Sequence, residues 1–156
     1  MLMVSATVDA STGCSIKVDP EFNTISDSLG RRVTLPHTIH RIITLLPSVT
    51  ETVFDLGFGS CIVATDRYSN WPRTARDLPK VGGLTDPVIE QIVRLKPDVV
   101  FVSNDLPTIK RLGELHLTVV VITATNFDEI NTNFKLIAGV FGDPSKAQNR
   151  WKALMS

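Results

Sequence analysis

The side chains with most to offer chemically lie in one stretch, Thr65-Asp66-Arg67-Tyr68-Ser69-Asn70-Trp71-Pro72. It holds the single Tyr and one of the two Trp of a chain that is only 6% aromatic. Aromatic faces exposed on a loop grip a large planar or apolar molecule, and Arg67 adds a cation that could meet an anionic group. The competing reading is that Tyr68 and Trp71 simply cover the end of a sheet. Glu90 is the other charge that stands apart, at the start of a helical pattern with an apolar opposite face. It is either a solvated acid favoured near a helix N-terminus or a carboxylate that docks onto an arginine of a partner.

Patterns for catalysis fail on mechanical grounds. Gly57-Phe58-Gly59 is only G-x-G, and it follows a helical pattern and precedes a strand. Its amides therefore cannot present a helix N-terminus to a pyrophosphate. No Walker-type phosphate loop, nucleophile elbow or H-E-x-x-H motif occurs. His37 and His40 sit three apart beside Pro36 on an extended connection where their rings need not converge, and His116 falls at the amino end of a strand. Binding without catalysis is the reading. A small α/β enzyme or nucleotide-binding domain is the alternative of a different class, with Asp66, Asp105 and Asp128 as the carboxylates it could use.

The elements that must position these residues follow from periodicity. Short β-branched runs at Arg41–Leu46, Cys61–Thr65, Val99–Ser103 and Leu117–Thr123 alternate with helix-length amphipathic stretches, the pattern of βα units. Val99–Val102 and Val119–Ile122 are apolar at every position, which predicts strands covered on both faces. The fold class is thus α/β, a doubly wound, mostly parallel sheet with helices on both faces. In such a sheet ligands bind beyond the carboxyl ends of the strands, which selects Pro47-Ser48, Thr65–Pro72, Ser103–Leu106 and Thr123–Asn126.

Helix punctuation agrees with this. Ser48 and Glu51 can form a capping box for a helix stopped by Gly57, and Asn126 with Glu129 repeats that logic for a helix running towards Gly142. Asp86-Pro87 reads as the start of a helix burying Ile89, Ile92 and Val93 and ending at Lys96-Pro97. Asp143-Pro144 starts a last helix. Ahead of Arg41, two short strands around the Gly30 turn read as an edge hairpin.

The 156 residues are 43% hydrophobic, enough for one core, and 16 basic against 16 acidic residues leave no net charge. Bulk electrostatics therefore gives no reason to expect a nucleic acid partner. No apolar run approaches the ~18 residues needed to span a bilayer, and Met1–Gly13 lacks the unbroken apolar stretch of a secretory signal. Cys14 and Cys61 could make one disulfide or none. Ser11-Thr12-Gly13-Cys14 ends like a lipoprotein cleavage site but lacks the usual leucine, so lipidated cysteine and plain tail both stay open.

Together the motifs carry a family resemblance. Arg41-Ile-Ile-Thr-Leu-Leu-Pro-Ser-Val-Thr-Glu51, Tyr68-Ser-Asn-Trp-Pro72, Leu78-Pro-Lys-Val-Gly-Gly83 and Glu90-Gln-Ile-Val-Arg-Leu-Lys-Pro-Asp98 resemble the N-terminal lobe of substrate-binding proteins of ABC importers for vitamin B12 and iron-siderophores. Asp27–Pro36 looks like the hairpin that opens such chains, and the resemblance runs in order from residue 25 to 156. It implies one of two α/β lobes facing a ligand cleft, with a flexible tail over 1–20, the lobe over 21–143, the start of an interlobe helix over 144–156 and no second lobe. It also implies that Tyr68 and Trp71 pack against a corrin, that Glu90 docks onto the membrane permease, and that the protein works outside the cytoplasm, periplasmic or membrane-anchored.

The expected ligand is cobalamin or a related corrinoid, with an iron-siderophore or haem as the alternative. No prosthetic group and no protein-bound metal are expected. Pro47, Ser48, Arg67, Tyr68, Trp71 and Leu84 form the expected ligand wall. Leu84 stands where the B12 branch can carry a second Trp, and Arg67 suits an anionic siderophore group better than a neutral corrin. A single wall would leave a cleft face that a second copy of the chain could cover as a homodimer.

Overall fold

A computed structural model describes residues 13–142 together with Asn149, Lys152 and Ala153. In chain order the elements are β1 (Ile16–Lys17), β2 (Thr24–Ser26), β3 (Arg32–Thr34), β4 (Thr38–Ile39), β5 (Ile42–Thr44), α1 (Pro47–Asp55), β6 (Ile62–Thr65), α2 (Arg73–Arg76), α3 (Ile89–Arg94), β7 (Val99–Val102), α4 (Leu106–Glu114), β8 (Val119–Val121) and α5 (Phe127–Val140). The central sheet has the order β6-β5-β7-β8. All three pairings are parallel, so all four strands end at one edge.

Alternation of side chains along these strands feeds two separate cores, as a doubly wound sheet requires. Ile42, Ile62, Val99, Phe101 and Val120 pack on one face with Val49 and Val53 of α1 and Ile137 and Ala138 of α5. Ile43, Ala64, Val100, Val119 and Val121 pack on the other with Ile92 of α3 and Ile109 and Leu112 of α4. The chain winds from β5 to β6 on the first face, then crosses to β7 and β8 on the second. The expected fold class therefore holds.

β2 and β3 form the expected antiparallel hairpin. Its turn lies on the exposed edge of β8: Ser28 N–H donates to Val121 O at 3.0 Å, and Val121 N–H donates to the Asp27 carboxylate at 3.2 Å. This caps backbone groups that an open edge strand would present to another chain.

Residues 14–17 belong to the fold, contrary to a flexible tail reaching to residue 20. β1 pairs antiparallel with β4, Ile16 is fully buried, and Cys14 is disulfide-bonded to Cys61 with Cα atoms 4.8 Å apart. A sulfur so bonded has no thiol left for a lipid. The proposed interlobe helix over 144–156 lies outside the described residues except at three positions.

Three local expectations are corrected. Leu46, not Ser48, precedes α1, and no side chain caps that helix, because Pro47 fills its first turn and needs no N–H partner. Ser48 instead accepts the Thr52 hydroxyl on its carbonyl at 2.7 Å. α3 begins at Ile89 rather than at Asp86-Pro87, since Pro87 pairs with Gly82 in a β-bridge and Asp86 turns to Arg67. Shortened this way, α3 buries Ile92 and leaves Val93 exposed. The α5 start matches expectation: Asn126 accepts the Glu129 N–H at 3.0 Å, and the Glu129 carboxylate reaches back to the Thr125 N–H.

Candidate ligand-binding face

Beyond the carboxyl ends of the strands, the loops carry several exposed large apolar side chains. Tyr68 and Trp71 after β6 are 59% and 64% exposed, Leu106 after β7 is 68% exposed, and Phe127 after β8 is 56% exposed. Three successive loops thus each deliver a large apolar side chain to the same edge. The structure brings Ser48, Trp71 and Pro72 together with Glu51, Thr52, Phe54, Asp55 and Phe134 around an open groove of about 530 Å³. Pro47 sits beside Ser48 at the start of α1.

The loop that carries the aromatics is fixed from below by buried polar groups. Asp66 is fully buried; its carboxylate accepts the Ser69 hydroxyl at 2.6 Å and the Tyr68 N–H at 3.0 Å. Ser69 Oγ lies 2.8 Å from Thr50 Oγ1, which lies 2.7 Å from Thr44 Oγ1. Because the single Ser69 proton goes to the carboxylate, Thr50 donates to Ser69 and Thr44 donates to Thr50. One relay therefore runs from β5 through α1 to the loop.

Lys80 completes the base. Its ammonium donates to Thr65 Oγ1 at 2.8 Å, Ser69 O at 2.6 Å and Ala75 O at 2.8 Å. Burial pushes its pKa below the ordinary lysine value, and attraction to Asp66 works in the opposite direction.

Arg67 does not stand free for an anionic ligand. Its Nη2 donates to Asp86 at 2.7 Å, its backbone N–H donates to Gly82 O at 2.7 Å, and its guanidinium lies 5.8 Å from the Tyr68 ring centroid. The Asp86 hydrogen bond, followed by the charge of Asp86, raises the pKa of this guanidinium. These contacts hold the Gly82–Pro87 turn, which includes Leu84, beside the aromatic loop. Glu90 is exposed on α3, on the sheet face opposite α1, and takes no part in the groove.

His40 Nδ1 lies 2.9 Å from Cys14 O, and among the described residues no three His, Cys, Asp or Glu side chains gather as a metal site. Leu106, Phe127 and Lys80 escape a search for chemically reactive residues. Leu106 and Phe127 did carry a signal, since each is apolar and directly follows a capping residue, Asp105 or Asn126, at a ligand-edge loop.

The model of the family described as periplasmic binding protein matches residues 42–153. The chain belongs to this family, whose members are binding proteins and not enzymes. It is 30% identical over 139 residues, 85% of the chain, to an uncharacterized ABC transporter substrate-binding lipoprotein of Bacillus subtilis, and spans 44% of that relative. Among solved structures it is similar to the periplasmic vitamin B12 binding protein of Vibrio cholerae, with 30% identity, TM-score 0.64, and 70% of this chain and 44% of that one covered. It is also similar to the molybdate-binding MolA of Haemophilus influenzae, with 25% identity, TM-score 0.74, and coverage of 81% and 48%. A periplasmic heme binding protein of Pseudomonas aeruginosa gives 26% identity, TM-score 0.66, and coverage of 70% and 40%. The chain thus spans less than half the length of each of these proteins.

Proposed function

We propose that this chain forms the N-terminal lobe of the substrate-binding component of an ABC importer, and that it binds cobalamin or a related corrinoid and delivers it to the membrane permease. The observation that carries this reading is the apolar edge made by Tyr68, Trp71, Leu106 and Phe127, exposed on a sheet whose carboxyl ends are the expected ligand side. A corrin is a broad ring with a large apolar face, and such a face is complementary to aromatic side chains set on a firm base. The B12-binding relative supports the same ligand class.

Glu90, exposed on α3, is the carboxylate that meets permease arginines in this reading. The Cys14–Cys61 disulfide favours work in an oxidising compartment outside the cytoplasm. A second reading, haem or a ferric siderophore, rests on Arg67, which could release Asp86 to take an anionic group.

Calorimetric titration with cyanocobalamin, hemin and a ferric siderophore separates these readings. Corrinoid binding predicts heat with cyanocobalamin, and Trp71→Ala removes roughly 1.5–3 kcal/mol of apolar contact, about ten- to hundredfold in affinity. Heat only with hemin or the siderophore, lost in Arg67→Gln, selects the second reading.

A further inference from the structure

Two observations meet at the base of the aromatic loop. First, its two ends are joined by backbone: Thr65 N–H donates to Pro79 O at 3.0 Å and Val81 N–H donates to Thr65 O at 2.9 Å, with a parallel bridge between Thr65 and Lys80. Residues 66–79 therefore leave and return at one point. Second, the Lys80 side chain at that point extends into the loop and binds carbonyls on both sides of its tip, Ser69 before Trp71-Pro72 and Ala75 after it. All three ammonium protons are used, the third on Thr65 Oγ1 at the closing bridge.

We infer that Lys80 is a positioning residue for the ligand wall, an internal staple that holds the loop carrying Tyr68 and Trp71 in one conformation before any ligand arrives. This rests on the proposed ligand face. Tyr68 and Trp71 are 59% and 64% exposed, so the packing of their own rings on the body of the protein covers only the smaller part of each. Much of the order comes from beneath, where Asp66, Ser69 and Thr50 anchor the first half of the loop and Lys80 links that half to the second by two short bonds, with a longer one from Arg76 Nε to Asn70 O at 3.3 Å beside it. Ordering a loop before binding removes a cost otherwise met at association, so the staple acts on affinity without touching ligand.

Neither a hydrophobe nor a shorter polar group can replace it. Methionine matches the length of lysine and can follow the same path, but it leaves the Ser69 and Ala75 carbonyls without their donor.

The test compares wild type, Lys80→Met and, as an independent cut in the same base, Ser69→Ala. Hydrogen exchange of the ligand-free chain is read by mass spectrometry, together with affinity for cyanocobalamin and hemin. The staple predicts that Lys80→Met speeds exchange at least fivefold in residues 66–78 and leaves β5, β7 and α4 unchanged. It further predicts at least fivefold weaker binding of whichever probe the wild type binds. Unchanged exchange in the loop, or faster exchange spread evenly over the sheet, overturns the staple. Local loosening with unchanged affinity overturns its role in binding. If loop loosening occurs but the wild type binds neither probe, the staple stands and the proposed ligand class fails.

Discussion

Asp66 is a charge placed where burial is costly, and its surroundings explain why it is there. A fully buried carboxylate needs hydrogen bonds to offset lost hydration, and the Ser69 hydroxyl and Tyr68 N–H supply them while bending the chain outward towards Trp71. Asp66→Ala leaves both donors unpaired. It should lower stability by roughly 2–3 kcal/mol, read as a shift of the urea midpoint with an unchanged m-value. A substitution within the exposed Arg67–Asp86 pair should cost little, since both side chains are about half exposed or more. Asp86→Asn is therefore expected to shift that midpoint by under about 1 kcal/mol. The sequence pointed to the residues that could touch a ligand, because aromatics crowded into one loop are conspicuous. It did not point to those that hold them: a lysine fourteen residues after Asp66 looks like any surface cation until the chain closes on itself at the Thr65–Lys80 bridge.

The same contrast applies to elements. Strands of continuous Val, Ile and Phe had to be covered on both faces, and they are, so the layers were legible from pattern alone. Boundaries decided by tertiary contacts were not. Asp86-Pro87 carries good helix-start chemistry, yet Gly82 at φ +102 turns the chain so tightly that Pro87 is bridged to it and the helix waits until Ile89. A Cβ on Gly82 would lie 2.6 Å from Asp86 O and 2.9 Å from Pro87 Cα. Gly82→Ala should therefore destabilise by more than about 1 kcal/mol through strained backbone and contact together, checked by thermal unfolding. At α5, Asn126→Ala removes an N-cap and should cost about 1 kcal/mol. The hydrogen bonds from Thr125 hold the Glu129 carboxyl below the ordinary glutamate pKa. Its contribution is thus full above that ordinary value and lost as pH falls through the depressed one. An NMR pH titration should show Glu129 protonating below the ordinary glutamate value, accompanied by loosening of the Thr125 amide.

At the scale of the whole molecule, a parallel sheet gathers all its carboxyl ends, and with them the proposed ligand face, at one edge. The β2–β3 turn blocks the β8 edge, and the Cys14–Cys61 disulfide ties the first described residues to the chain just ahead of β6. Closing a loop of 47 residues restricts the unfolded chain, and removal of the bond by Cys14→Ala with Cys61→Ala should cost about 2–4 kcal/mol in unfolding. The loss of midpoint stability should be matched by reduction of the wild type. The central claim is that the carboxyl edge of this sheet is a wall for a corrinoid. The most direct measurement is an NMR titration of the isotope-labelled chain with cyanocobalamin, following backbone amides. The account predicts saturable shifts at Ser48, Tyr68, Trp71, Leu106 and Phe127, with Asp98, Gly113 and His116 at the opposite edge still. Shifts confined to the opposite edge, or none up to millimolar ligand, would contradict it.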